Sequence, residues 1–196
     1  MAIVTPDMNS AIPDSAPASS QSIAYPLDEF YARSRLNLPP LDQIDGEAMP
    51  EPYKSLLVHE RDMTSTLENF HKAGIHLRLV SRRQQGEEYF REVVLVLDGS
   101  EEPVEFGAIR INLGLFPAEA RAAILEERYP LGHLLKDFAI AYQSRPKAFL
   151  RLASDKTINE FLKLSGAHRL YGRRNTLLNP AGEALADIVE ILPPAS

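Results

Sequence analysis

Arg91 stands in the run Tyr89-Phe90-Arg91-Glu92-Val93-Val94-Leu95-Val96-Leu97, whose aromatic and β-branched residues predict a strand. Side chains alternate between the faces of a strand, so Arg91 shares a face with Tyr89, Val93, Leu95 and Leu97. A guanidinium on an apolar face is costly unless an anion meets it, and its rigid fork of donors suits a carboxylate. Glu190 is a second such residue. It lies in Ala186-Asp187-Ile188-Val189-Glu190-Ile191-Leu192 and shares a face with Ile188 and Leu192. Leu131-Gly132, after Pro130, offers free N–H groups near a helix start, which favour an anion. Asp62-Met63-Thr64 precedes a further helix. Two readings stand on this pattern. Arg91 and Glu190 neutralise each other across neighbouring strands, or they face a ligand.

Other chemistries find little support. There is no cysteine, which excludes disulfides, thiolate metal sites and a cysteine nucleophile. His59, His71, His76, His133 and His168 form no recognised metal motif, and His71 and His76 straddle Gly74 rather than share a helix face. No nucleophile elbow, phosphate-binding glycine loop or dinucleotide fingerprint occurs. The formal net charge of −6 gives no global basic footprint for nucleic acid. The basic run Gly172-Arg173-Arg174-Asn175 reads as a solvated hairpin face. No apolar run is long enough to span a bilayer, and Met1 to Ala24 lacks the basic and apolar regions of a secretion signal. A cytoplasmic location, no membrane partner and a monomer are expected.

The elements that must position these residues follow from periodicity and turn chemistry. Met1–Ala24, rich in Ser, Pro and Ala, reads as a disordered tail. Residues 25–52 form a Pro-rich lead-in with a short helix at Pro26–Arg35, and 53–196 a single domain. Tyr53–Ala73 reads as helical in two pieces, with Ser65 and Glu68 as a capping box. Strands follow at Ile75–Val80 and through Arg91 to Leu97, separated by a polar turn at Gln84–Glu88. Asp98-Gly99 then turns into Val104–Leu113, with Ile109, Ile111 and Leu113 on one face. Pro117 opens an Ala-rich helix, and another follows Pro130-Leu131-Gly132. A short strand at Ala148–Leu152 precedes a helix capped by Thr157 and Glu160. Arg173–Leu178 and Ala184–Leu192 close the chain as a hairpin. Tight connections between successive strands imply an α+β fold on a mostly antiparallel sheet.

In this order the segments resemble the chorismate lyase family. The resemblance is carried by Asp62-Met63-Thr64, Tyr89-x-Arg91-Glu92-Val93-Val94-Leu95 before Asp98-Gly99, Pro130-Leu131-Gly132-x-x-Leu135, Leu170-Tyr171-Gly172-Arg173-Arg174 and Val189-Glu190-Ile191-Leu192-Pro193. It covers about Tyr53 to Pro194. It implies an antiparallel sheet of about six strands with helices on one side and helical flaps over a buried site. It also implies that Arg91 grips a ring carboxylate, Leu131 supplies backbone contacts, Met63 lines the site and Glu190 meets the product hydroxyl. The activity implied is that of a carbon–oxygen lyase in ubiquinone biosynthesis. Chorismate would lose pyruvate to give 4-hydroxybenzoate without a cofactor, with Arg91 and Glu190 as catalytic residues. Three departures stand out: the link from about Ser81 to Glu88 is shorter than the family's flap, Tyr171 replaces a usual tryptophan, and the Pro-rich N-terminal extension has no counterpart in the family's compact enzymes.

A non-catalytic module of the same fold, binding an aromatic carboxylate, is the main alternative. Effector domains of some bacterial transcription regulators have that fold and an Asp-Gly hairpin, beside an upstream winged-helix domain. Only Met1 to about Pro52 precedes the fold here, too short and Pro-rich for one. A related enzyme acting on another cyclohexadiene or hydroxybenzoate is the third possibility, since fold alone does not fix function. Retention of both Arg91 and Glu190 favours the lyase among the three.

Overall fold

The computed structural model describes residues 21–195. Helix α1 (Leu27–Arg33) precedes strand β1 (Leu41–Ile44), α2 (Tyr53–Leu57) and α3 (Met63–His71). Strands β2 (Ile75–Gln85), β3 (Glu88–Leu97) and β4 (Pro103–Asn112) follow, then α4 (Ala118–Glu126) and α5 (Leu131–Asp137). The chain ends with β5 (Gln143–Ala153), α6 (Lys156–Leu162), β6 (Arg169–Leu178) and β7 (Ala184–Leu192). The expected tail, Met1–Ala24, falls mostly outside the described residues. At its end Ala24 is buried and Ile23 packs against the core.

All strands pair antiparallel in one seven-stranded sheet, in the order β1-β5-β6-β7-β4-β3-β2. Apart from the edge strand β1, the sheet is two antiparallel three-strand units, β2-β3-β4 and β5-β6-β7, joined where β4 meets β7. That joint runs from Phe106 opposite Ile191 to Ile111 opposite Ala186. The α+β class is as the sequence implies. The strand beyond the expected six is β1, inside the Pro-rich lead-in, where Leu41 pairs with Leu152 and Ile44 with Phe149.

Helices lie on both faces rather than on one. Helices α1 and α6 cover one face, placing Leu27, Phe30, Ile158 and Leu162 against Val94, Phe106, Leu150 and Val189. Tyr31 Oη donates to Asp155 Oδ2 at 2.8 Å and ties these two helices together. Helices α2, α3, α4 and α5 cover the other face. The central strands are therefore buried on both sides, and every residue of β3 from Tyr89 to Leu97 is buried. Each large apolar side chain so buried contributes about 1.5–3 kcal/mol.

Helix starts differ from the sequence expectation in the same way twice. Asp62, not Ser65, caps α3, accepting from Ser65 N at 2.8 Å. Asp155, not Thr157, caps α6, accepting from Ile158 N at 2.8 Å. Aspartate is as strong a cap as serine, and its charge also suits the positive end of the helix dipole. The β2–β3 connection is only Gly86-Glu87, with Gly86 at φ +59, so the polar turn expected over Gln84–Glu88 is mostly strand. Among the described residues, no helix is long and apolar enough to cross a membrane.

Candidate functional site

The strand register builds the floor of a cavity. One row across the sheet reads Val93, Gly107, Glu190, Arg173; the next reads Arg91, Ile109, Ile188, Asn175. At the centre Gly107 leaves a hollow. A Cβ there would sit 3.2 Å from Glu105 Oε1 and 3.4 Å from Val93 Cγ2. The roof is the start of α3 and of α5. They approach so closely that a Cβ on Gly132 would meet Thr64 Oγ1 at 2.9 Å and Asp62 Oδ1 at 3.0 Å. The space between floor and roof is about 60 Å³, room for a few waters by the usual requirement of about 10–15 Å³ each. Met63, Arg91, Leu131 and Glu190, the four residues expected at a site, all line it.

Arg91 is 1% exposed, and its Nε and Nη1 have no hydrogen-bond partner among the described residues. Burial pulls its pKa below the usual arginine value, opposed in part by Tyr89 and Glu127. Glu127 is itself engaged, accepting from Tyr89 Oη and Arg82 Nη1. A buried donor left unpaired costs about 1–3 kcal/mol, more for a charged group.

Glu190 pairs not with Arg91 but with Arg173, whose Nε donates to Glu190 Oε2. The reading in which Arg91 and Glu190 neutralise each other is thereby excluded; β4 separates their strands. Arg173 is 0% exposed. Its Nη1 also donates to the carbonyls of His59 at 3.0 Å and Leu57 at 3.3 Å, and its Nη2 to that of Arg61 at 3.3 Å. It thus fastens the α2–α3 loop to the sheet. The solvated hairpin face expected for Arg173 and Arg174 is corrected: both are buried, and Arg174 Nη2 donates to Gln21 Oε1 at 2.6 Å. The alternation cue failed because both faces of β6 are covered. His59, against Arg173, has its pKa lowered to about 4, first by burial and then by the Arg173 charge.

Glu105 was not singled out by sequence. It is buried at the cavity, and its Oε2 has no partner among the described residues. Burial, reinforced by the neighbouring Glu190 charge and opposed in part by Arg173, holds its pKa well above the ordinary 4.5. The face shared by Ile109 and Ile111, extended back through Gly107, reaches Glu105; that was the available signal. The floor therefore holds an ion pair, a guanidinium with two nitrogens unpartnered among the described residues, and a carboxyl that holds its proton more tightly than usual.

Elsewhere His76 Nδ1 lies 2.7 Å from Asp98 Oδ1, and His133 Nε2 lies 3.0 Å from Glu68 Oε1. A larger concavity of about 460 Å³ beside Phe70, Val104 and Pro193 presents no buried unpartnered charge among the described residues.

No protein-family model matches the chain. No curated protein matches its sequence. Solved structures match its fold. PhnF from Mycobacterium smegmatis is 11% identical with a TM-score of 0.54, over 69% of this chain and 64% of that one. The effector domain of PhnF gives 12% identity and a TM-score of 0.50, over 67% and 87%. A GntR-family transcriptional regulator from Bacillus cereus gives 12% identity and a TM-score of 0.43, over 61% and 92%. The expected carbon–oxygen lyase is corrected by these findings. The two matches at a TM-score of 0.50 or more, PhnF and its effector domain, point to a regulator's ligand-binding domain and away from a lyase. The likeness is one of fold, the chorismate lyase-like fold that such effector domains have.

Proposed function

We propose that this chain is a non-catalytic binding module whose cavity takes a small aromatic carboxylate. The observation that carries this reading is Arg91, fully buried at the cavity with Nε and Nη1 unpartnered among the described residues. Two carboxylate oxygens supply the missing acceptors, and hydrogen bonds to a charged group contribute about 1.5–3 kcal/mol each. Apolar walls from Val93, Leu95, Ile109, Leu135 and Leu177 suit a ring. The space of about 60 Å³ is smaller than the roughly 150 Å³ that takes a benzene ring, so Met63 and Leu131, on α3 and α5, must shift outward to admit the ligand. Glu190 stands at the far side of the floor, two strands from Arg91. The pre-formed Arg173–Glu190 pair satisfies Glu190 without a ligand, which suits a fixed wall of a binding site.

Calorimetric titration with benzoate, 4-hydroxybenzoate and the uncharged isostere benzamide tests the reading. Both carboxylates are expected to bind and benzamide to fail. Arg91→Met is expected to abolish binding while the protein stays folded. Equal binding of benzamide, or carboxylate binding that survives Arg91→Met, would overturn the assignment. Chorismate added in the same series is expected to release no pyruvate.

A further inference from the structure

Glu105 is a buried polar group that carboxylate recognition by Arg91 does not use. It pairs with Leu95 across the sheet, whereas Arg91 pairs with Ile109. The two residues are thus about 14 Å apart at Cα, from a rise of ~3.4 Å per residue and a strand spacing of ~4.8 Å. They mark opposite ends of one cavity. From this juxtaposition, and resting on the binding reading above, we infer that the ligand is a monoanion whose far end carries a neutral hydrogen-bond acceptor, received by the carboxyl of Glu105, and that the cavity rejects dianions.

The first support is the missing partner. Glu105 lines the cavity, and its buried Oε2 has no partner among the described residues. Burial and the Glu190 charge favour the protonated acid, and an acid O–H in a dry site demands an acceptor. A carbonyl, ether or hydroxyl oxygen supplies one; an amine does so poorly.

The second support is charge balance. Arg91 contributes one positive charge, the Arg173–Glu190 pair none, and protonated Glu105 none. Asp62 at the rim is spent on the Ser65 N–H and the positive end of α3. One buried positive charge therefore awaits one negative charge. A second carboxylate would lie beside Glu190 with no free cation lining the cavity among the described residues, in a medium where like charges repel strongly.

Benzoate and three para-substituted benzoates of similar shape separate these features. 4-Formylbenzoate offers an acceptor only, 4-aminobenzoate mainly a donor, terephthalate a second charge, and benzoate nothing. The formyl compound is expected to bind about tenfold tighter than benzoate or the amine, the ratio that one good hydrogen bond supplies. Terephthalate is expected to bind at least about tenfold weaker than benzoate. Glu105→Leu is expected to erase the formyl preference and keep benzoate binding; Glu105→Gln, still a neutral donor, is expected to preserve the preference. A formyl compound no better than benzoate would overturn the inference. So would Glu105→Gln tightening every monoanion, because that shows a charged carboxyl in the native site. The ligand-free protein gives an independent readout. The infrared C=O stretch of a protonated carboxyl should be present at neutral pH and lost in Glu105→Gln; its absence overturns the assignment. Failure of all four compounds to bind would sink the binding reading and the ligand class together, while the infrared band still reports on Glu105.

Discussion

Two arginines stand on the same face of the same sheet, both almost wholly excluded from solvent, in opposite states. Arg173 spends its donors on Glu190 and on the carbonyls of Leu57, His59 and Arg61. Arg91 finds no partner for Nε and Nη1 among the described residues. Burial alone does not separate a structural ion from a functional one. The separation lies in whether the protein has already answered the charge. Where it has, the residue holds the fold; where it has not, the fold holds the residue for something else.

The comparison breaks most visibly at Arg173. Arg173→Met should cost about 3–5 kcal/mol in urea unfolding, because it strands the Glu190 charge and frees the α2–α3 loop. Should Arg91→Met cost as much, the two arginines are alike and the contrast is lost. The expected outcome is different: ligand-free stability unchanged or raised, since a buried unpaired ion is replaced by an apolar chain. The loss should appear only with ligand. Benzoate at one hundred times its dissociation constant should stabilise the wild type by ~2.7 kcal/mol and leave Arg91→Met unmoved in thermal unfolding. A smaller effect is expected from Asp62→Ala, about 1 kcal/mol of stability from the lost α3 cap, with weaker ligand binding because Met63 and Thr64 start that helix.

The finest distinction is in pH. Glu105 has a raised pKa in the folded state, so the unfolded chain loses this proton first, near the ordinary 4.5. Above that pH the unfolded state binds fewer protons, and stability must fall as pH rises toward the folded value. Stability curves of wild type and Glu105→Gln, measured from pH 5 upward, should therefore diverge, with only the wild type showing this decline. Parallel curves would mean that Glu105 ionises normally. Taking the difference between the two proteins also removes the opposite slope from His59, whose lowered pKa makes stability fall below pH 6.5.

The sequence showed Arg91 because one charge interrupts an apolar face, and that argument survives burial of both faces. It concealed Arg173 because neighbouring Arg174 made a basic run, and a run reads as solvated. In fact the two point to opposite sides, Arg173 to the cavity and Arg174 to Gln21. Glu105 was hidden by Gly107, which has no side chain to announce the cavity face. The central hairpins were legible from Asp98-Gly99 and Asn179-Pro180-Ala181-Gly182. Strand β1 was not, because four residues between prolines and a Gly-containing turn carry too little periodicity, and pairing with β5 decides the matter. The helix caps were misplaced by one rule applied twice, a serine or threonine box preferred over an aspartate just upstream.

The joint between β4 and β7 has a kinetic consequence. Arg91, Glu105 and Gly107 belong to one three-strand unit; Arg173 and Glu190 belong to the other. Hairpins within β2-β3-β4 and between β6 and β7 close over short connections, whereas β4 and β7 meet only after the chain from Leu113 to Glu183 has been looped out. Contacts of such long range carry the larger closure entropy and form slowly. The cavity is therefore among the last features to assemble and the first to vanish when the halves part. An occupant reaching from Arg91 to the Glu190 side acts as a clasp across that joint, lengthening the lifetime of the native state while leaving each half's own stability as it was.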